Sequence, residues 1–151
     1  MKAVIQRVHE AAVDVEGRRI SAIGSGCLVL VGVEQEDTAA DACFMARKIL
    51  GLRLFGDTAG RMNRSVEEVG GEILVVSQFT LAASLERGRR PSFAGAAPQD
   101  RARELYQTMI AALEKGQAAV RTGLFGASMQ VFLVNDGPVT FILQAPMKRR
   151  P

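Results

Sequence analysis

The stretch Glu72-Ile73-Leu74-Val75-Val76-Ser77-Gln78-Phe79-Thr80-Leu81 is the strongest strand signal in the chain. Consecutive aliphatic, largely β-branched residues favour an extended, buried segment. Its polar end is the unusual part. Ser77, Gln78 and Thr80 need hydrogen-bond partners if they are buried, whereas plain alternation would turn them to solvent. Upstream, Lys2–Val8, Ala12–Val15, Arg19–Ile23 and Cys27–Val33 read as strands, with Glu16-Gly17-Arg18 as a hairpin turn. Cys27–Val33 is almost continuously apolar, which predicts burial on both faces. Asp37 or Thr38 caps a helix to about Leu50, with Ala42, Met45, Ala46 and Ile49 on one face. Leu52–Phe55 is a short strand, followed by an Asp57–Gly60 turn. Downstream, residues 82–97 hold Arg87, Arg89, Arg90, Gly88, Gly95 and Pro91 and read as an exposed loop. Pro98 suits the first turn of a helix reaching Lys115, with Ala102, Leu105, Tyr106, Met109 and Leu113 as its apolar stripe and Gly116 ending it. Met129–Val134 and Val139–Gln144 are two further strands, separated by the turn residues Asn135-Asp136-Gly137-Pro138. Strands cluster at both ends with two helices between them, so an α+β fold is expected rather than a doubly wound one.

Composition narrows the class. The chain has 151 residues, 48% hydrophobic and 23% charged, enough for one core without a disulfide or metal staple. The N-terminus is an alternating strand interrupted by charge and does not resemble a signal peptide. No apolar run reaches membrane-span length, so a cytoplasmic protein without a membrane partner is expected. Cys27 and Cys43 lack metal-ligand spacing and read as buried free thiols. One histidine, His9, and two scattered cysteines speak against a zinc site, and a Ser-His-Asp triad requires His9 to face the site. A formal charge of +3 and a pI near 9.2 are compatible with a nucleic-acid partner without establishing one.

Two segments carry the candidate chemistry. Ser77-Gln78-Phe79-Thr80-Leu81 reads either as a solvent-facing strand end or as the polar lining of a small-molecule pocket. Thr80 is a conceivable nucleophile, but a hydroxyl needs a base, and no neighbouring residue supplies one. Asn135-Asp136-Gly137-Pro138-Val139-Thr140 reads locally as a plain turn.

Together, SQFTL at 77–81 and NDGPVT at 135–140 resemble the motif pair of the D-aminoacyl-tRNA deacylases, the D-tyrosyl-tRNA deacylase family of Gly-cisPro type. IQRV at 5–8, VEGRRI at 15–20, MN at 62–63, RPSF at 90–93 and TGLFGASMQV at 122–131 agree in order and position. The resemblance runs from residue 1 to about 145. It leaves residues 146–151 as a basic, disordered tail beside a single domain.

The resemblance implies a mixed, β-barrel-like α+β fold with two main helices, and a homodimer. It implies a cis Gly137-Pro138 bond whose dipeptide reaches into the partner's active site and excludes L-amino acids sterically. It places Ser77, Gln78, Phe79 and Thr80 in the catalytic wall, where backbone N–H groups orient the ester. Gly137, Pro138, Leu81, Asn135, Phe125 and Met129 fall to substrate binding, the last two at the adenosine. The implied substrate is the tRNA 3′ CCA end carrying a D-aminoacyl or glycyl group, including glycine mischarged on tRNA-Ala. Catalysis is then assisted by the terminal 2′-hydroxyl, and the alternative keeps Thr80 as acyl-accepting nucleophile. No cofactor, metal or DNA partner is implied. Arg87, Arg89 and Arg90 are candidates for tRNA phosphates, or an ordinary solvated loop.

Overall fold

The computed structural model describes residues 1–86 and 88–145. Arg87 and the 146–151 tail, of which contacts and disorder were expected, lie outside the described residues. The backbone of the fold is β1 (Lys2–Val15), a single strand rather than two. One edge of β1 pairs antiparallel along its length with β8 (Gln130–Gln144). The other edge is shared. β3 (Gly26–Gly32) takes Lys2–Val8, and β2 (Arg18–Ile23) takes Ala11–Val15. The expected hairpin turn forms between β1 and β2, with positive φ at both Glu16 and Gly17.

From β3 the sheet continues in parallel to β6 (Glu72–Ser77) and β7 (Ala119–Thr122). Each parallel step is bridged by a helix: α1 (Ala39–Gly51) between β3 and β6, and α2 (Gln99–Leu113) between β6 and β7. β2 curls back against β6 and β7, so the mixed sheet nearly closes into a barrel. The α+β class is as expected. A small separate hairpin joins β4 (Phe55–Gly56) to β5 (Met62–Arg64).

Alternation along β3 and β6 explains why both are apolar throughout. Cys27, Val29, Val31, Ile73 and Val75 face the helices in one core, whereas Leu28, Leu74 and Val76 face the barrel interior with Val8, Val13 and Ile23. The helices bury the predicted stripes: Ala42, Met45, Ala46 and Ile49 from α1, and Leu105, Tyr106, Met109 and Leu113 from α2. At the start of α1 the Asp41 carboxylate accepts the Thr38 N–H at 2.8 Å and its hydroxyl at 2.6 Å. Pro98 caps α2 rather than opening its first turn, and α2 ends at Leu113, short of Lys115. Burial pushes the Cys27 thiol up to about 12, so it is an inert core thiol. Cys43 is only half-buried, against expectation, because it sits at the margin of the α1 stripe.

Two expected elements differ in kind. The Glu72–Leu81 strand stops at Ser77, and Phe79–Ala82 form a 3-10 turn. Residues 130–144 are one strand, and Asn135–Pro138 are not a turn between two. Between the pairs Gln6↔Thr140 and Val8↔Asn135, residues 136–139 of β8 face Arg7 alone and are squeezed outward as a bulge.

Candidate active site

The site is built where β6 ends. The Gln78 N–H donates to the Val31 carbonyl at 2.7 Å, pinning the 3-10 turn to β3. Gly32 permits this approach, because a Cβ there would stand 2.8 Å from Leu81 Cβ and 2.9 Å from the Gln78 carbonyl oxygen. The first N–H groups of a helical turn have no acceptor within it. Among the described residues none meets the amides of Phe79 and Thr80.

Beside this turn lies a cavity of about 390 Å³, the size of a small-ligand pocket. Its walls are Val31 and Val33, Ser77 and Phe79, the segment leading into α2 (Ala96, Ala97, Gln99, Ala102, Tyr106), and Phe125, Gly126, Ala127 and Met129. The Phe125 ring meets two residues of α2: Tyr106 at 5.5 Å between ring centroids, and the Arg103 guanidinium 5.2 Å from the Phe125 centroid. The Tyr106 hydroxyl donates to the Val75 carbonyl at 2.9 Å, and burial raises its pKa, so it is a neutral wall. Phe93, from the 82–97 loop, packs on Phe79 at 5.1 Å.

Thr80 is exposed. Its hydroxyl oxygen accepts the Gln78 side-chain amide at 2.5 Å. An amide N–H cannot take a proton, so this contact does not activate the hydroxyl.

The second locus is the β8 bulge, where Gly137-Pro138 is cis. A Cβ at Gly137 would lie 2.3 Å from the Val139 nitrogen and 2.7 Å from Asn135 Nδ2, so the bulge presents main chain there. Asp136 anchors it. Arg7 Nε donates to the Asp136 carbonyl at 3.0 Å and lies 3.0 Å from its carboxylate. Arg7 Nη1 donates to the Leu54 carbonyl at 2.7 Å. His9 Nε2 stands 3.5 Å from Asp136 on the exposed side, so the lone histidine serves the bulge rather than the cavity.

These features have counterparts in known proteins. Residues 4–144 match the family model for D-Tyr-tRNA(Tyr) deacylase. A D-aminoacyl-tRNA deacylase of Chlorobaculum parvum is 54% identical over 149 residues, covering 98% of this chain and 100% of that protein. One from Geobacter sulfurreducens is 57% identical over 143 residues, covering 95% and 94%. The chain belongs to the D-Tyr-tRNA(Tyr) deacylase family. As such it is an ester-cleaving hydrolase. A solved structure titled c-Myc DNA Unwinding Element Binding Protein superposes with a TM-score of 0.91 at 46% identity, covering 97% of this chain and 99% of that one. A structure described as a probable eukaryotic D-amino acid tRNA deacylase shares the fold, with a TM-score of 0.82 at 16% identity over 94% and 97% of the two chains.

Within this deacylase chain, Ser77, Phe79, Phe125 and Met129 line one cavity. Gln78, Thr80 and Leu81 belong to the same turn without lining it. Asn135, Gly137 and Pro138 stand on the bulge and are not among the cavity walls. The two motifs of one chain therefore do not share a pocket. Among the described residues no three of His, Cys, Asp and Glu gather as metal donors. Sequence reasoning missed Arg7, Gln99 and Arg103. Tyr106 was legible only as a core residue, although it is the chain's single tyrosine.

Proposed function

We propose that the chain hydrolyses the ester joining a D-amino acid to the 3′ end of a tRNA, with the terminal adenosine seated in the cavity. The observation that carries this reading is the cavity itself. It has apolar and aromatic walls at Phe125, Met129 and Tyr106, with Ser77 and Phe79, where β6 passes into the 3-10 turn, in the same lining. The aromatic wall suits a nucleobase, and the unpaired amides of the turn suit an ester carbonyl. The curated relatives carry the same activity in their names. The Thr80 hydroxyl is a bystander on this reading. The neighbouring 2′-hydroxyl of the RNA orients or deprotonates the attacking water, and positioning supplies most of the rate.

The chiral choice falls to Gly137-Pro138 of a second copy. Support comes from β8, paired only with β1, which exposes Phe132, Leu133, Val134, Phe141 and Ile142, apolar side chains that a homodimer would cover. In such a dimer each bulge enters the partner's cavity, and its backbone clashes with an L side chain but not with a D one. Glycyl esters, including glycine mischarged on tRNA-Ala, escape the clash. The enzyme then works in the cytoplasm, with Arg89 and Arg90 near tRNA phosphates.

The test is deacylation of D- and L-tyrosyl esters on the same tRNA. Hydrolysis of the D ester far faster than the L ester supports the reading. Equal rates would remove the steric filter.

A further inference from the structure

We propose that Arg103, with Gln99, forms a phosphodiester site at the rim of the cavity and holds the phosphate 5′ of the terminal adenosine. The inference rests on the cavity being the adenosine pocket. Three observations support it. The Arg103 guanidinium lies on Phe125, a wall of the cavity, at 5.2 Å from the ring centroid. Stacking of this kind fixes the guanidinium plane while leaving its N–H edge available for an anion. Second, Arg103 has no carboxylate partner among the described residues, whereas its neighbour Arg101 is paired with Glu104 at 2.8 Å. A guanidinium without a carboxylate partner keeps its donors free for a charge-assisted bond to an anion.

Third, two donors converge at the same rim residue. A Cβ placed on Gly126 would lie 3.3 Å from Gln99 Nε2 and 3.9 Å from Arg103 Nη2. Gly126 has φ +81°, a conformation that favours glycine, and its lack of a side chain keeps the space between the donors open. An adenosine enclosed by the cavity must pass its 5′ phosphate out over such a rim. A phosphate contact is indifferent to sequence, so the site would serve every tRNA alike.

The experiment uses two D-tyrosyl esters, one of adenosine and one of the dinucleotide cytidylyl-(3′,5′)-adenosine, which adds the phosphate. Steady-state kinetics are measured for the full chain and for Arg103→Gln, Arg103→Lys and Phe125→Ala. The Arg103→Gln penalty in KM is expected to be about tenfold greater on the dinucleotide ester than on the adenosine ester, with kcat little changed, as for loss of one charge-assisted hydrogen bond. Rising salt should weaken KM for the dinucleotide less in Arg103→Gln than in the unaltered chain, because a screened ion pair is lost, and Arg103→Lys should restore that salt sensitivity. An equal penalty on both esters, or none on either, overturns the proposal; the equal penalty would leave Arg103 only as a support for Phe125. If Phe125→Ala leaves hydrolysis of the adenosine ester untouched, the cavity does not hold adenosine. That result overturns both readings and is distinguishable from failure of Arg103 alone.

Discussion

Arg7 grips Asp136 by both its main chain and its side chain, with Nε 3.0 Å from the carbonyl oxygen and 3.0 Å from the carboxylate. Arg7 is the residue that the β8 bulge leaves opposite it, so the clamp sits where the ladder is interrupted. Its third contact, to the Leu54 carbonyl, ties the bulge to the chain entering the β4–β5 hairpin. Arg7→Ala removes all three bonds from a mostly buried position. It is expected to cost about 2–3 kcal/mol, by the usual worth of charged hydrogen bonds. For a chain of this size that lowers Tm by several degrees. Discrimination between D- and L-tyrosyl-tRNA should also fall, measured below the shifted Tm. A lower Tm with unchanged discrimination would make Arg7 a purely structural residue.

Thr80→Ala should retain substantial deacylation. The hydroxyl is engaged with an amide donor rather than a base. A substrate ending in 2′-deoxyadenosine should lose far more rate than this variant does. A dead Thr80→Ala enzyme, or an acyl group trapped on Thr80, would restore the nucleophile model.

The glycines divide sharply by what surrounds them. A Cβ at Gly26 would lie 1.9 Å from the Glu72 carbonyl oxygen, a main-chain atom in the parallel β3–β6 ladder that cannot step aside. Gly26→Ala should therefore cost more than about 3 kcal/mol, at the upper end for single substitutions. At Gly51, the last residue of α1, a Cβ meets nothing within 4 Å. Gly51→Ala should be neutral or stabilising by up to about 1 kcal/mol. Urea titrations of the two variants check this contrast.

How much of this was legible in the sequence depends on the range of the interaction. The apolar stripes of α1 and α2 are local and were readable residue by residue. The two-faced burial of β3 was equally plain, because its apolar run has no polar break. The bulge was not readable, since Asn, Asp, Gly and Pro have the same local preferences in a hairpin turn and in an outward kink. Only the unbroken β1 beside it decides between them. Likewise the Ser77–Leu81 segment looks extended until Gln78 bonds Val31 and the chain folds under. β5 and β7 are too short to carry a periodic signal. At the site, resemblance supplied the two motifs, but Arg7 meets its partner 129 residues away, beyond any local pattern.

The exposed apolar side chains of β8 yield a test of assembly. Ile142 is 80% exposed, the most exposed large hydrophobic residue on the strand. If β8 is covered there by a second copy, Ile142→Glu buries a charge at the contact and should shift the protein to monomer in sedimentation. Deacylation should fall with it, because each cavity loses the partner's bulge. A wild-type protein that sediments as an active monomer would contradict the shared-site arrangement.

The last prediction follows from how a repulsive filter works. If L-amino acids are rejected because their side chain strikes the Gly137-Pro138 backbone, glycine has nothing to strike, since it carries no Cβ. Selectivity against a missing methyl, where it depends on filling a pocket, is only about 1–3 kcal/mol. A filter that acts by collision lacks even that. Glycyl-tRNA is therefore expected to be cleaved at a rate approaching that of the D-aminoacyl form, while L-alanyl-tRNA on the same tRNA body persists. Protection of correctly charged tRNA-Gly must then come from outside the cavity, through elongation factor or through features of the tRNA itself. Glycine wrongly placed on tRNA-Ala would be removed. The measurement is a titration of enzyme against glycyl- and L-alanyl-tRNA-Ala. If the glycyl ester resists as well as the L-alanyl ester, the cavity must grip the D side chain positively, and rejection by Gly137-Pro138 cannot be the source of its chirality.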